Sequence, residues 1–210
     1  MSTKKLKWVL QELEGFESPK IQLEQYATSP ELALSMMDLI DELVGFDNKV
    51  VADLGCGCGM LMTTAALAHG PGFVVGVDID SDALETCARN LEDADIEEFC
   101  DLVHADVLTV SETLGSKFDI VLINPPFGTK NNEGIDMKFV KSGLDILKPG
   151  GSVFSLHKQS TRNFILKTAK NWNVEAKCVA ELTWNLPATY KFHKQQNVDI
   201  KVDLIQFIKL

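Results

Sequence analysis

Short apolar runs rich in β-branched residues recur along the chain and alternate with stretches of helical periodicity. A helix between two strands lets them run parallel and packs on a face of the sheet they form. The alternation therefore predicts a single α/β domain around a mostly parallel sheet. The runs that we expect to form its seven strands are 50–54, 73–78, 99–105, 118–123, 152–156, 174–184 and 198–208.

Four helices should separate these strands, at residues 60–69, 82–93, 137–147 and 161–171. The third should end at residues 148–151, a Lys-Pro-Gly-Gly sequence of the kind that stops helices. A further helix is predicted over residues 30–44, with Thr28 or Ser29 as its cap and Pro30 in its first turn. No helical stretch separates the last two strands, so we expect them to pair antiparallel through residues 187–196.

The composition excludes several classes of protein. The 210 residues fit one domain, and 45% hydrophobic with 24% charged residues is typical of a soluble globular protein. The apolar runs are too short to span a membrane, and the basic N-terminus leads into no signal-peptide core. We therefore expect a protein of the cell interior, in the nucleus and cytoplasm.

Five cysteines without CxxC pairs argue against disulfides, and Cys56 and Cys58 lack the second pair that a zinc site needs, so no metal is expected.

Charge is distributed unevenly along the chain. Residues 1–123 carry 7 Lys or Arg and 23 Asp or Glu, a balance of −16, whereas residues 124–210 carry 13 and 7, a balance of +6. Such asymmetry is compatible with a polyanion-binding side on the C-terminal half. Charge alone favours the simpler explanation, solvated helix faces with an accidental imbalance.

A glycine-rich turn, Gly55-Cys56-Gly57-Cys58-Gly59, follows the first strand and leads into a helix at Met60. Glycines at alternate positions let the backbone turn tightly and lie close to a ligand. The spacing is GxGxG, not the GxGxxG with which nicotinamide enzymes receive a pyrophosphate. S-adenosylmethionine has no phosphate and needs only close backbone contact. The turn by itself would also suit a strand-to-helix connection without any ligand.

Two carboxylates follow the next two strands and strengthen the case for a ligand. Asp78 ends the second strand, where it could accept both hydroxyls of a ribose, and Asp106 follows the third, where it could accept the amino group of the donor's adenine. Either acid alone could be a helix cap. Because ligands of open α/β sheets bind at the carboxyl edge, the turn and both acids together predict an S-adenosylmethionine site.

The fourth strand ends in Asn124-Pro125-Pro126-Phe127, the most informative stretch of the chain. An amine on an aromatic base is a poor nucleophile because its lone pair is delocalised into the ring. The Asn124 side-chain oxygen and the next carbonyl could accept its two N–H groups, while the prolines hold these acceptors in place. Phe127 offers a ring for stacking an extruded base. Asn-Pro also begins ordinary turns, but here it follows a predicted donor site.

These motifs resemble the methyltransferase-like protein 5 family, whose members make N6-methyladenosine in small-subunit (18S) ribosomal RNA. The resemblance covers nearly the whole chain, and segments 23–28 and 190–194 carry its most specific motifs. It implies a Rossmann-like class I methyltransferase fold with helices on both faces of the sheet and an antiparallel last strand. The matching segments are Leu23–Thr28, Val50–Gly59, Asn124–Asn132, Ser155–Lys158 and Tyr190–Lys194.

The resemblance also implies the site. Residues 1–45 would form an N-terminal helical segment and cofactor lid, and residues 46–210 the core. Thr28 could instead serve only as a helix cap, and Met60 stands where the family has a smaller aliphatic residue. Catalysis would fall to Asn124, Pro125, Pro126 and Phe127. Contacts to S-adenosylmethionine would come from Gln25, Thr28, Asp53, Gly55, Cys58, Met60, Asp78 and Asp106.

Rings alternate with cations in the segment before the last strand, a pattern suited to stacking bases and contacting phosphates of RNA. The rings could instead pack on the sheet. The predicted RNA-binding residues are Lys130, Tyr190, Lys191, Phe192, His193 and Lys194. Members of the family work as a heterodimer with a small zinc-binding activator subunit, so the resemblance implies such a partner.

Two other functions remain open at this point. A glutamine-amide methyltransferase acting on a translation release factor would need the same Asn-Pro-Pro arrangement, although such enzymes usually have Tyr where this chain has Phe127. A catalytically inactive methyltransferase fold could serve as a binding scaffold.

Overall fold

One seven-stranded sheet in the order β3-β2-β1-β4-β5-β7-β6 organises the chain. The computed structural model describes residues 2–128, 132–187 and 197–209, with the backbone alone for residues 185–187 and 197–198. Neighbouring strands from β3 to β5 are parallel, and β7 is antiparallel to both of its neighbours. The strands are β1 (Val50–Leu54), β2 (Phe73–Asp78), β3 (Cys100–His104), β4 (Phe118–Ile123), β5 (Leu147–Lys158), β6 (Glu175–Pro187) and β7 (Asn197–Ile208).

Both faces of the sheet are covered, as the near-continuous apolar character of the strands predicts. Consecutive residues of a strand enter different cores: Val51 packs with one cluster and Ala52 with the other. The described helices are α1 (Thr3–Glu12), α2 (Pro30–Val44), α3 (Met60–His69), α4 (Ser81–Asp93), α5 (Ser111–Leu114), α6 (Ile135–Ile146) and α7 (Arg162–Asn171), of which α1 packs on α2 and α3. No helix among the described residues is long and apolar enough to cross a membrane.

The predicted succession of strands and of the helices between them is confirmed, and β6 and β7 pair antiparallel as expected. The helix stop predicted at residues 148–151 is confirmed, because α6 ends at Ile146, but the strand that follows begins at Leu147 and not at residue 152. Gly150 takes a φ of 77° within this segment, across which the register of β5 against β4 shifts. Phe99 was expected in β3, but it ends a 3-10 turn and is 55% exposed.

The ends of several helices differ from the prediction by one or two residues. Helix α6 begins at Ile135 and α4 at Ser81, and α7 begins at Arg162 after a 3-10 turn. Ser29 caps α2, accepting the N–H of Leu32. Helices α1 and α5 were not predicted as separate elements; α1 buries only Leu6 and Leu10 and α5 is four residues long.

Candidate active site

Two adjoining pockets lie at the carboxyl edge of the sheet. The larger, which we call the donor cleft, spans the ends of β1, β2 and β4 and encloses about 1030 Å³, including the solvent at its mouth. The smaller, which we call the acceptor pocket, encloses about 520 Å³ beside Phe127. Glu24, Tyr26 and Asn124 line both. A ligand in one pocket therefore reaches the border of the other.

The glycine turn after β1 forms the floor of the donor cleft. Gly55, Gly57 and Gly59 have φ values of 75°, 54° and 90°, a region that side chains with a Cβ rarely adopt. We expected added side chains to enter ligand space, but the nearest obstacle at Gly57 is a protein ring. A Cβ there would lie 2.8 Å from Cζ of Phe16, which covers the turn.

Asp78 holds the glycine turn as well as lining the cleft. Its buried carboxylate accepts the N–H of Gly57 at 2.8 Å and that of Asp80 at 2.9 Å. Burial raises the pKa of Asp78, and the backbone N–H groups partly offset this effect. Each oxygen keeps a second lone pair with which it can accept a hydroxyl of a ligand.

The two other predicted carboxylates differ in their surroundings. Asp53 is 1% exposed and accepts the N–H of Met62 at 3.1 Å. Burial, with a smaller contribution from the charge of Asp78, raises the pKa of Asp53 to about 7, while the N–H of Met62 opposes this shift. Asp106 is exposed and accepts the N–H of Leu108 at 2.9 Å, so it turns the chain after β3 while lining the cleft.

A strap formed by residues 13–28 roofs the donor cleft. Asp80 anchors the strap: Lys20 forms an ion pair with it, and the side-chain N–H of Gln25 donates to it at 2.6 Å. Burial opposes ionisation of Asp80, but the hydrogen bonds from Lys20 and Gln25 outweigh it and lower its pKa. Gln25, which we predicted as a cofactor contact, therefore connects the strap to the start of α4.

A second anchor of the strap lies at its other end. The side chain of Asn90 donates to the carbonyls of Glu14 and Cys58 at 3.0 and 2.8 Å and accepts the N–H of Glu14.

The thiol of Cys58 lines the cleft, and burial raises its pKa to about 12, which keeps it neutral. Nearby, the half-buried Met60 begins α3 and completes the floor.

The strap also reaches the acceptor loop. Asn124 donates from Nδ2 to Thr28 Oγ1 at 2.8 Å, and the N–H of Phe127 donates to Glu24 at 3.1 Å. The other end of the Asn124 amide differs: its Oδ1 is buried and has no hydrogen-bond partner among the described residues. The contact with Thr28 thus fixes which amide atom is left to receive a substrate.

The walls of the acceptor pocket come from the C-terminal half of the sheet. The rings of Phe127 and Trp184 meet edge to face with centroids 5.7 Å apart, and Nζ of Lys158 lies 5.4 Å from the centre of the Phe127 ring. Ile200, opposite Trp184 in the β6–β7 ladder, closes the far side. Aromatic and apolar walls with few polar groups suit a flat ring.

The structure brings together every predicted residue that it describes. The predicted residues that line the donor cleft are Gln25, Thr28, Asp53, Gly55, Cys58, Met60, Asp78, Asp106, Asn124 and Pro126, and those that line the acceptor pocket are Asn124, Pro125 and Phe127. The predicted RNA-binding residues, Lys130 and Tyr190 to Lys194, lie outside the described residues. The sequence reasoning missed Phe16, Glu24, Asp80, Asn90, Lys158 and Trp184, whose roles depend on contacts between distant segments.

The donor cleft fits S-adenosylmethionine on three observations. Its floor is a positive-φ glycine turn, at which backbone can approach a ligand closely. Carboxylates line it at the places where ribose and adenine would lie, and the buried Asp53 would be ionised by a neighbouring cation. No thiolate or phosphate-binding cluster of cations occurs among the described lining residues.

Comparison with known proteins agrees with this reading. Residues 32–177 match the family model described as the methyltransferase small domain. An rRNA N(6)-adenosine-methyltransferase of Caenorhabditis elegans is 62% identical over 100% of this chain and 99% of its own. Its counterpart in Danio rerio is 47% identical over 99% of both chains. A crystal structure of a candidate RNA methyltransferase from Pyrococcus horikoshii has a TM-score of 0.84 at 30% identity, covering 100% of both chains.

The fold and the site define a class I methyltransferase with a Rossmann-like core and S-adenosylmethionine as methyl donor. The predicted fold class and cofactor are therefore confirmed. Within that class, the chain belongs to the methyltransferase-like protein 5 family, as its motifs indicated.

Proposed function

We propose that this chain transfers a methyl group from S-adenosylmethionine to N6 of an adenosine in RNA, with small-subunit (18S) ribosomal RNA as the substrate. The observation that carries the proposal is the buried Oδ1 of Asn124, which lies where the two pockets meet and has no hydrogen-bond partner in the described part of the chain. An unpaired buried acceptor typically costs about 1–3 kcal/mol, which a substrate N–H would recover. The names of the relatives in Caenorhabditis elegans and Danio rerio support adenosine as that substrate.

The chemistry that we propose needs little from the protein beyond placement. Bound S-adenosylmethionine supplies an electrophilic methyl group. Asn124 Oδ1 and the carbonyl of Pro125 accept the two N–H groups of the adenine amine and turn its lone pair toward the donor cleft. As nitrogen bonds the methyl carbon, the carbon–sulfur bond breaks, its electrons stay on sulfur, and the surplus proton on nitrogen passes to water. Pro126 and Phe127 keep the acceptors rigid and stack the base.

The donor side completes the proposal. Asp78 would accept the ribose hydroxyls, Asp106 the adenine amino group of the donor, and Asp53 would face its cationic part. The strap, with Gln25 and Thr28, would act as the cofactor lid, in keeping with residues 1–45 as an N-terminal helical segment on a core of residues 46–210. Lid contacts on both Asp80 and the acceptor loop support this role.

Substrate RNA and a protein partner belong to the same proposal. Lys130, Tyr190, Lys191, Phe192, His193 and Lys194 would contact the RNA around the acceptor pocket. The family resemblance supports a heterodimer with a small zinc-binding activator subunit, acting on ribosomes in the nucleus and cytoplasm. Co-expression with that subunit should raise the yield and activity of the chain, and full activity of the chain alone would remove the requirement for it.

Quantifying methylated nucleosides tests the proposal. Cells with and without the protein would be compared by mass spectrometry of nucleosides from purified small-subunit RNA. Loss of N6-methyladenosine, restored by the wild-type chain but not by Asn124→Ala, is the expected result. A release factor offered in parallel with labelled donor tests the glutamine-amide alternative, and methylation of that protein alone would replace RNA as the substrate.

A further inference from the structure

The acceptor pocket contains a second buried polar atom that nothing in the proposed reaction uses. Six buried side-chain polar atoms have no hydrogen-bond partner among the described residues. Two of these belong to residues that line this one small pocket, Oδ1 of Asn124 and Nε1 of Trp184. One is an acceptor and the other is a donor only. The residues that line the pocket therefore include one buried acceptor and one buried donor, each without a hydrogen-bond partner among the described residues.

Trp184 both packs in the core and lines the acceptor pocket. It lies on β6 opposite Ile200, is 3% exposed, and packs in the core shared with α2 and α3. A buried Trp usually finds an acceptor for its N–H, and leaving it unpaired costs about 1–3 kcal/mol. An apolar aromatic residue would fill the same space without that cost.

The chemistry of adenine explains the pair. On each of the two edges that carry the amine, the N6 donor stands beside a ring nitrogen that accepts: N1 on the pairing edge and N7 on the major-groove edge. An acceptor and a donor in one pocket match this arrangement, with Asn124 facing the amine. Guanine matches on neither edge, because its O6 acceptor would face Asn124 Oδ1, and on the pairing edge its N1–H would also meet the indole N–H.

We propose that Trp184 is a specificity-determining residue whose indole N–H donates to the ring nitrogen beside the target amine. This inference rests on the proposed RNA adenosine activity. It assigns Trp184 no part in the bond-making step. The pocket wall carries further donors in the hydroxyl of Tyr26 and the ammonium of Lys158, which lies over the Phe127 ring on a half-buried side chain.

Atom-by-atom substitution on both sides of the hydrogen bond provides the test. The full-length wild-type enzyme would first be used to map the adenosine that it methylates in a small-subunit RNA transcript. Short synthetic RNAs would then carry adenosine, 1-deazaadenosine or 7-deazaadenosine at that position. For each RNA, kcat/KM is measured for wild type and for Trp184→Phe, which keeps an aromatic ring and removes the N–H.

On adenosine RNA, the wild-type enzyme should exceed Trp184→Phe by about tenfold in kcat/KM. On one of the two deaza RNAs the ratio should fall to about one, because the partner atom is already missing. Any electronic effect of the deaza ring cancels in this ratio. A loss caused only by imperfect folding would persist on all three RNAs.

Matched controls separate recognition from packing. Trp172→Phe alters a half-buried tryptophan of the other core and should leave all three ratios near one. Lys158→Met tests the competing donor. A ratio that stays near ten on both deaza RNAs, or that collapses for Lys158→Met instead, would overturn the inference. Equal rates of wild type and Trp184→Phe on adenosine RNA would overturn it too, whereas a wild type that methylates no adenosine would overturn the proposed function itself.

Discussion

The donor cleft and the acceptor pocket adjoin each other but satisfy their polar groups in different ways. In the donor cleft, Asp53 and Asp78 already accept backbone N–H groups, and Gln25 is held by Asp80. In the acceptor pocket, Asn124 Oδ1 and Trp184 Nε1 are buried without a partner among the described residues. The polar groups of the cleft are therefore already held in place by the protein, whereas those of the pocket need a bound substrate as their hydrogen-bond partner.

Composition follows the same division. The cleft is built mainly from the acidic first half of the chain, and the pocket takes Phe127, Lys158, Trp184 and Ile200 from the basic second half. A cationic donor suits acidic surroundings, and an RNA suits basic ones. The strap, through Glu24 and Tyr26, and the acceptor loop, through Asn124, contribute to both pockets.

Changing Asn124 should separate the two regions most clearly. Asn124→Ala should lower the rate of methyl transfer by about 10²–10³, because one preorganised acceptor is lost. The affinity for S-adenosylmethionine, measured by calorimetry, should stay nearly the same. Asn163→Ala is the matched control, since Asn163 is exposed on α7 and lines neither pocket. Loss of donor binding in the Asn124 variant alone would mean that the regions are not independent.

The buried carboxylate of the donor cleft should respond to pH. Because burial raises the pKa of Asp53 to about 7 in the folded protein, above its usual value, its contribution to stability is present at low pH and is lost as pH rises through about 7. The free energy of unfolding of wild type, without donor, should therefore fall relative to Asp53→Asn between about pH 5 and 8. Denaturant titrations across this range measure the difference. Parallel curves would show that Asp53 is ionised throughout.

The buried and the exposed carboxylates of the donor cleft should contribute unequally to the affinity for S-adenosylmethionine. Asp78→Ala should weaken S-adenosylmethionine binding by about 1–3 kcal/mol, since it removes an acceptor for the ribose and also the group that holds Gly57. Asp106→Ala should cost less, because this carboxylate is solvated. Calorimetry on both folded variants gives the ranking, and an unchanged affinity for Asp78→Ala would place the ribose elsewhere.

The smallest effect is expected where the RNA would meet the basic half. Lys191→Ala with Lys194→Ala should weaken RNA binding and reduce the slope of log K against log salt by roughly 0.7 for each lost contact. Donor affinity should not change. A salt titration that superimposes on wild type, with unchanged methylation, would remove these lysines from the RNA-binding surface.

Local sequence patterns determined most of the fold, because the periodicities of strands and helices can be recognised in consecutive residues. The bounds of β1, β2, β4, α2 and α3 follow directly from the apolar runs and caps. The Lys-Pro-Gly-Gly sequence at residues 148–151 ended α6 as predicted, but the start of β5 was misplaced, since the strand begins at Leu147 and not at residue 152. Gly150 and Gly151 exchange backbone hydrogen bonds with Lys209, a tertiary contact that the local sequence does not show.

The sequence by itself also determined the donor turn, its carboxylates and the Asn-Pro-Pro-Phe loop, since each is a short motif at the end of one strand. Only the tertiary structure decided that Asn124 bonds Thr28, 96 positions away, through Nδ2 and leaves Oδ1 without a partner among the described residues. It likewise decided that Trp184 enters the acceptor pocket, through the pairing of β6 with β7. Motifs fix which chemical groups are present, whereas the burial and pairing of those groups arise only when distant segments pack together.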